Sequence, residues 1–236
     1  MLICLRIFYE ESEAQMNRAY LKLYAITDRS WLGGQTLYEQ VELALKGGIT
    51  MLQFREKGLK NLASKDLCDP TGAAGEWLEE AVRLKELCHS YQVPFIVNDY
   101  VELAKRIDAD GVHIGQSDMG ILKARQILGK DKIIGVTAKT VEQAKQAEKD
   151  GADYLGSGAV FGTSTKTDAK PMDLALLQEI CESVSIPVTA IGGIDATNAA
   201  LLAGRKMAGI AVVSGIFAQP DIEQAAKELL GIVNHF

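Results

Sequence analysis

The chain has 236 residues, 47% of them hydrophobic, and a formal net charge of −6. That length suits one domain with a large core, and the acidic balance argues against a broad nucleic-acid surface while leaving room for a small basic phosphate pocket. No apolar run is long enough to span a bilayer. The apolar opening, residues 1–9, is broken by Arg6 and followed by Glu10, Glu11 and Glu13, which argues against a signal peptide.

Met16 stands just before the first strand-like run. Residues 1–20 therefore read as an N-terminal extension and 21–236 as the catalytic domain; for residues 1–15 a true extension and a misassigned start both stay open. From residue 21 onward, short apolar runs alternate with amphipathic stretches. The expected strands are residues 22–27, 51–55, 95–98, 111–114, 133–137, 154–157, 188–191 and 210–213. The expected helices between them include 37–46, 79–91, 121–128, 141–150, 174–183 and 222–233. Strands alternating with helices imply parallel pairing, since parallel neighbours need a crossover. Eight such units predict an α/β fold, a single (β/α)8 TIM barrel. Several helix ends carry glycine, at Gly47, Gly129, Gly151 and Gly204. Residues 60–76, with Pro70, Gly72 and Gly75, read as a long loop after the second strand. A doubly wound open sheet is the alternative, disfavoured because Thr27-Asp28-Arg29 rather than GxGxxG follows the first strand.

A barrel of this kind gathers its functional groups at the C-terminal strand ends. The second strand ends Gln53-Phe54-Arg55-Glu56-Lys57. Alternation places Gln53, Arg55 and Lys57 on one face and Phe54 and Glu56 on the other. An amide, a guanidinium and an ammonium then converge at the mouth, suited to phosphate oxygens. Asn98-Asp99 ends the third strand and Asp118 follows the fourth. Two carboxylates at adjacent strand ends suit one Mg2+ completed by substrate phosphate and water; taken singly, each reads better as a helix N-cap, and it is the two together, near Arg55 and Lys57, that favour the metal. Thr163-Ser164-Thr165-Lys166 after the sixth strand forms an oxyanion cradle in this reading. Gly192-Gly193 after the seventh strand and Val213-Ser214-Gly215 after the eighth occupy the position where barrels bind phosphate through backbone N–H groups. His113, between Val112 and Ile114, reads as a strand-packing histidine. The four cysteines, Cys4, Cys68, Cys88 and Cys181, form no CxxC pair, which fits free thiols in a reducing cytoplasm.

These motifs, in this order from Leu21 to Val233, resemble thiamine phosphate synthase. The resemblance implies a transferase of thiamine biosynthesis. It would join 4-amino-5-hydroxymethyl-2-methylpyrimidine diphosphate to a thiazole phosphate, releasing thiamine monophosphate and pyrophosphate. Carried over residue by residue, Gln53, Phe54, Arg55, Glu56 and Lys57 would hold the pyrimidine diphosphate with Asn98, Thr137 and Lys166. Asp99 and Asp118 would ligate Mg2+. Thr163, Ser164, Thr165, Gly193, Val213 and Ser214 would serve the thiazole phosphate side. Arg55, Lys57, Thr137 and Lys166 would be the catalytic groups, stabilising the departing diphosphate of a dissociative substitution. The chain departs from the family after the fifth strand, where Thr137-Ala138-Lys139-Thr140 stands in place of Ser-Ala-His-Thr. Two rival functions are a thiazole tautomerase-like isomerase, expected to lack the basic strand motif, and a non-catalytic phosphate-ligand binding barrel. The partners expected are small-molecule substrates, with no nucleic acid and no membrane. The sequence sets no oligomeric state, and a homo-oligomer is compatible with it.

Overall fold

The computed structural model describes residues 16–57, 73–162 and 171–236. Eight short runs rich in β-branched, aromatic and other apolar residues form the strands: β1 (Leu23–Ile26), β2 (Met51–Phe54), β3 (Phe95–Asn98), β4 (Gly111–Ile114), β5 (Ile133–Thr137), β6 (Tyr154–Gly158), β7 (Val188–Ile191) and β8 (Gly209–Val212). Every bound lies within one residue of the sequence expectation. Each strand pairs in parallel with the next, and β1 pairs with β8 with Leu23 opposite Ile210. This closed ring is the (β/α)8 barrel expected and excludes the open doubly wound sheet.

The helices are α1 (Leu37–Lys46), α2 (Ala73–Ser90), α3 (Val101–Arg106), α4 (Ile121–Leu128), α5 (Val141–Lys149), α6 (Leu174–Ser183), α7 (Ser214–Phe217) and α8 (Ile222–Val233). Two features differ from expectation. Helix α2 begins at Ala73 rather than 79, because Trp77 and Leu78 extend its apolar stripe onto the core; residues 60–72 of the expected loop lie outside the described residues. Between β7 and β8 the crossover is a 3-10 turn, Ala199–Leu202. Local chemistry fixes the helix ends. Thr36 and Glu39 form a reciprocal capping box on α1, and Thr140, Asp173 and Asp221 cap α5, α6 and α8.

Strand alternation divides the core in two. Leu52, Phe54, Phe95 and Val97 face outward and pack under the helices, with the Phe54 and Phe95 rings stacked at 5.9 Å. Tyr24, Met51, Ile96, Tyr154 and Ala211 fill the barrel interior. A 3-10 turn, Arg18–Leu21, delivers buried Leu21 into the same interior cluster. The interior is plugged below and open above, so a cavity forms at the C-terminal strand ends.

Candidate active site

That cavity measures about 490 Å3, the size of a small-molecule site. Gln53 and Arg55 from β2 and its end, Asn98 and Asp99 from β3, Asp118 after β4 and Thr137 from β5 all line it, together with Gly193, Val213 and Ser214 after β7 and β8. Nine of the residues singled out in the sequence thus share one rim because each stands at the C-terminal end of a strand or just beyond. Thr163, Ser164, Thr165 and Lys166 lie outside the described residues.

Residues 53–56 divide as their alternation predicts, whereas Lys57, expected at the mouth with Gln53 and Arg55, does not line the cavity. Gln53 is buried inside the barrel, and its Nε2 donates to the Tyr24 hydroxyl at 2.7 Å. Arg55 lines the cavity. Phe54 faces the helices, and Glu56 is buried in a bidentate pair with Arg29 Nε, 2.9 Å to each oxygen. Neither Phe54 nor Glu56 lines the cavity, so the substrate contact expected of these two residues has no support in the geometry. Burial pushes the Glu56 carboxyl above its usual range, against the pull of Arg29. Lys57 stands half-exposed outside the cavity lining.

A residue the motif search gave no role organises this rim. Asp28, buried at the end of β1, accepts from Lys57 Nζ at 2.8 Å and from Arg55 Nη1 at 3.3 Å. Burial opposes its ionisation, but Lys57 and Ser30 outweigh that and hold the carboxyl below the usual carboxylate range. Asp28 therefore orients both cations from beneath. Its sequence signal was its place in Thr27-Asp28-Arg29, at the strand end.

The two cap readings do not hold. The N-cap residues of α3 and α4 are Tyr100 and Gly120, neither with a side-chain capping bond. Asp99 takes a left-handed backbone, φ 63°, and its N–H donates to His113 O at 2.8 Å. Asp118 Oδ2 accepts from Gly115 N at 2.7 Å, folding the carboxylate back toward the strand end. Burial, then Asp99, then Asp118 push the Tyr100 phenol up to about 12. Both carboxylates thus act on one phenol and line the same cavity. Among the described residues no group of three or more His, Cys, Asp or Glu side chains gathers at metal-binding spacing; Asp99 and Asp118 are the carboxylates in the cavity lining, both hard oxygen donors.

On the opposite side of the rim, α7 is the short extra helix that starts right after β8, where barrels commonly seat a phosphate. Gly193 has φ 66°, and a Cβ there would lie 2.1 Å from Gly162 O, so only glycine fits. Asn198 Nδ2 ties down Gly193 O at 2.8 Å.

His113 does more than pack. It points inward and lines the cavity, with Nε2 3.0 Å from Thr137 Oγ1 and Nδ1 3.0 Å from the Tyr154 hydroxyl. Gln116 Nε2 donates to Thr137 O at 2.6 Å. Lys139, which like Thr137 departs from the family pattern, also lines the cavity.

A closed (β/α)8 barrel with a carboxylate pair, a clamped guanidinium and glycine turns around one mouth defines an enzyme for phosphorylated small molecules. The family model described as thiamine monophosphate synthase matches residues 23–216. A thiamine-phosphate synthase of Clostridium acetobutylicum is 44% identical over 218 residues, 92% of this chain and 97% of that one. Its counterpart in Clostridium novyi is 47% identical over 212 residues, 89% and 98% of the two chains. The solved structure of a thiamine phosphate pyrophosphorylase from Pyrococcus furiosus superposes with a TM-score of 0.79 at 40% identity, covering 92% of this chain and 97% of that one. This chain belongs to the thiamine monophosphate synthase family.

Proposed function

We infer that the chain is a transferase of thiamine biosynthesis that joins 4-amino-5-hydroxymethyl-2-methylpyrimidine diphosphate to a thiazole phosphate. The C–O bond to the diphosphate breaks, a C–N bond to the thiazole ring forms, and the products are thiamine monophosphate and pyrophosphate. One observation carries this reading: family-motif residues scattered from Gln53 to Ser214 line a single cavity. The complete basic strand end, with Arg55 and Lys57 held by Asp28, argues against the tautomerase-like alternative.

Within this reading Arg55 and Lys57 bind the diphosphate with Gln53, Asn98, Thr137 and Lys166. Asp99 and Asp118 fit Mg2+ by donor type and by their place on one cavity wall. When bound there, Mg2+ would neutralise charge on the leaving diphosphate. Arg55 is preorganised for the same task, since the contact with Asp28 fixes its fork before the substrate arrives. A dissociative substitution needs no general base at carbon. Gly193, Val213 and Ser214 hold the thiazole phosphate with Thr163, Ser164 and Thr165. Thr27 Oγ1 accepts from Arg55 N at 2.9 Å, keeping the strand end in register.

Cys88 and Cys181 are buried free thiols, in keeping with a cytoplasmic protein, and among the described residues no helix is long and apolar enough to cross a membrane. Small molecules are the partners this site recognises.

The deciding experiment is turnover with both substrates, with and without Mg2+. Magnesium-dependent release of thiamine monophosphate and pyrophosphate is expected. Binding of both phosphorylated compounds without product would overturn the reading in favour of a binding barrel.

A further inference from the structure

The barrel interior holds a continuous polar chain among apolar neighbours. Gln53 Nε2 lies 2.7 Å from Tyr24 OH, Tyr24 OH 2.9 Å from Tyr154 OH, Tyr154 OH 3.0 Å from His113 Nδ1, and His113 Nε2 3.0 Å from Thr137 Oγ1. Five strands contribute one member each. Gln53, Tyr24, His113 and Thr137 line the cavity, while Tyr154 is fully buried and does not. We propose that Tyr154 and His113 are positioning residues, which hold the Thr137 hydroxyl as a hydrogen-bond donor toward the diphosphate substrate. The inference rests on the reading that Thr137 contacts that substrate.

The polarity follows from the amide end. An NH2 group only donates, so the Tyr24 oxygen accepts from Gln53 and its proton passes to Tyr154. Tyr154 has then accepted and donates to His113 Nδ1. That bond places the imidazole proton on Nε2, where it is donated to Thr137 Oγ1. The threonine keeps one proton with no further acceptor among the described residues, on the side that faces the cavity. Run the other way, the chain would present a lone pair to an anion. Burial pushes both phenols well above their usual range, so neither loses the proton the chain needs.

Packing fixes the middle of the chain. A Cβ on Gly135 would lie 2.0 Å from Tyr154 Cζ. The phenol ring thus lies over the β5 position that has no side chain. Tyr24 and Tyr154 meet edge to face with ring centroids 5.9 Å apart.

Two measurements test the proposal. In the full-length protein near neutral pH, 15N NMR of His113 is expected to show the Nε2–H tautomer; an Nδ1–H tautomer overturns the proposal whatever the variants do. The second is a double-mutant cycle of Tyr154→Phe and Thr137→Val, read as kcat/KM for the pyrimidine diphosphate. Tyr154→Phe is expected to lose roughly tenfold with threonine at 137 and little with valine there. Equal losses in both backgrounds mean Tyr154 is merely structural. A wild-type rate for Thr137→Val alone sinks the substrate contact itself, an outcome distinct from additivity. Should Tyr154→Phe fail to fold, the His113 tautomer decides alone.

Discussion

Asp28 sits beneath two cations that a strand-end motif had already marked as phosphate ligands. Its folded pKa is depressed, so its contribution to stability is present above the unfolded value of 3.8 and is lost as pH falls through the lower folded value. In Asp28→Asn, denaturant unfolding across that acid range should vary less steeply with pH than in the wild type. The same variant should lose turnover at neutral pH by freeing Arg55 and Lys57; unchanged kinetics would deny the clamp. For the carboxylate pair, Asp99→Asn or Asp118→Asn should greatly weaken Mg2+-dependent turnover while circular dichroism stays native. Full activity in both would remove the metal assignment. Thr137 retains the hydroxyl of the serine it replaces, with an added methyl. Thr137→Ser should stay within roughly tenfold of wild type, whereas Thr137→Val should lose about tenfold to a hundredfold, the worth of one charge-assisted hydrogen bond. Steady-state kinetics distinguishes these.

At the scale of elements, the loop after β7 and the end of β6 are built against each other. If Gly193 acted on the ligand alone, Gly193→Val would selectively lose thiazole phosphate binding. The contact with Gly162 O shows that a larger residue first collides with the protein itself, on a backbone that disfavours side chains. Gly193→Val should therefore lower thermal stability as well as activity. A native melting curve with only the thiazole phosphate affinity changed would restore the simpler view. The 53–57 strand end illustrates the legible part. Alternation alone sorted Gln53 and Arg55 inward and Phe54 and Glu56 outward, and the barrel obeys it. Alternation did not reveal that Glu56 would be claimed by Arg29, since that partner lies 27 residues away in the chain.

For the whole molecule, closure of β8 onto β1 brings both phosphate regions to one mouth, so binding there is linked to the stability of the entire barrel. A ligand at a hundred times its Kd stabilises the folded state by about 2.7 kcal/mol. For a domain of this size that corresponds to a rise in Tm of about 5–10 °C. Mg2+ with inorganic pyrophosphate should raise Tm by such an amount in the wild type and much less in Asp99→Asn or Asp118→Asn. An equal rise in all three would place the anion away from the carboxylate pair.

The amino-acid order by itself determined the eight strands to within a residue, the parallel closed architecture, and the set of polar residues at strand ends. Each of these rests on short-range periodicity, which a linear reading captures. Only the tertiary structure decided how those residues are used. Asp28 became the common partner of Arg55 and Lys57, Asp99 and Asp118 proved to cap no helix, and His113 joined Tyr24, Tyr154 and Gln53 in a chain ending on Thr137. Those contacts join residues from different strands, 24 to 130 positions apart along that polar chain. Such pairs meet only because the barrel closes and points alternate side chains into one interior, a geometry that no local pattern encodes.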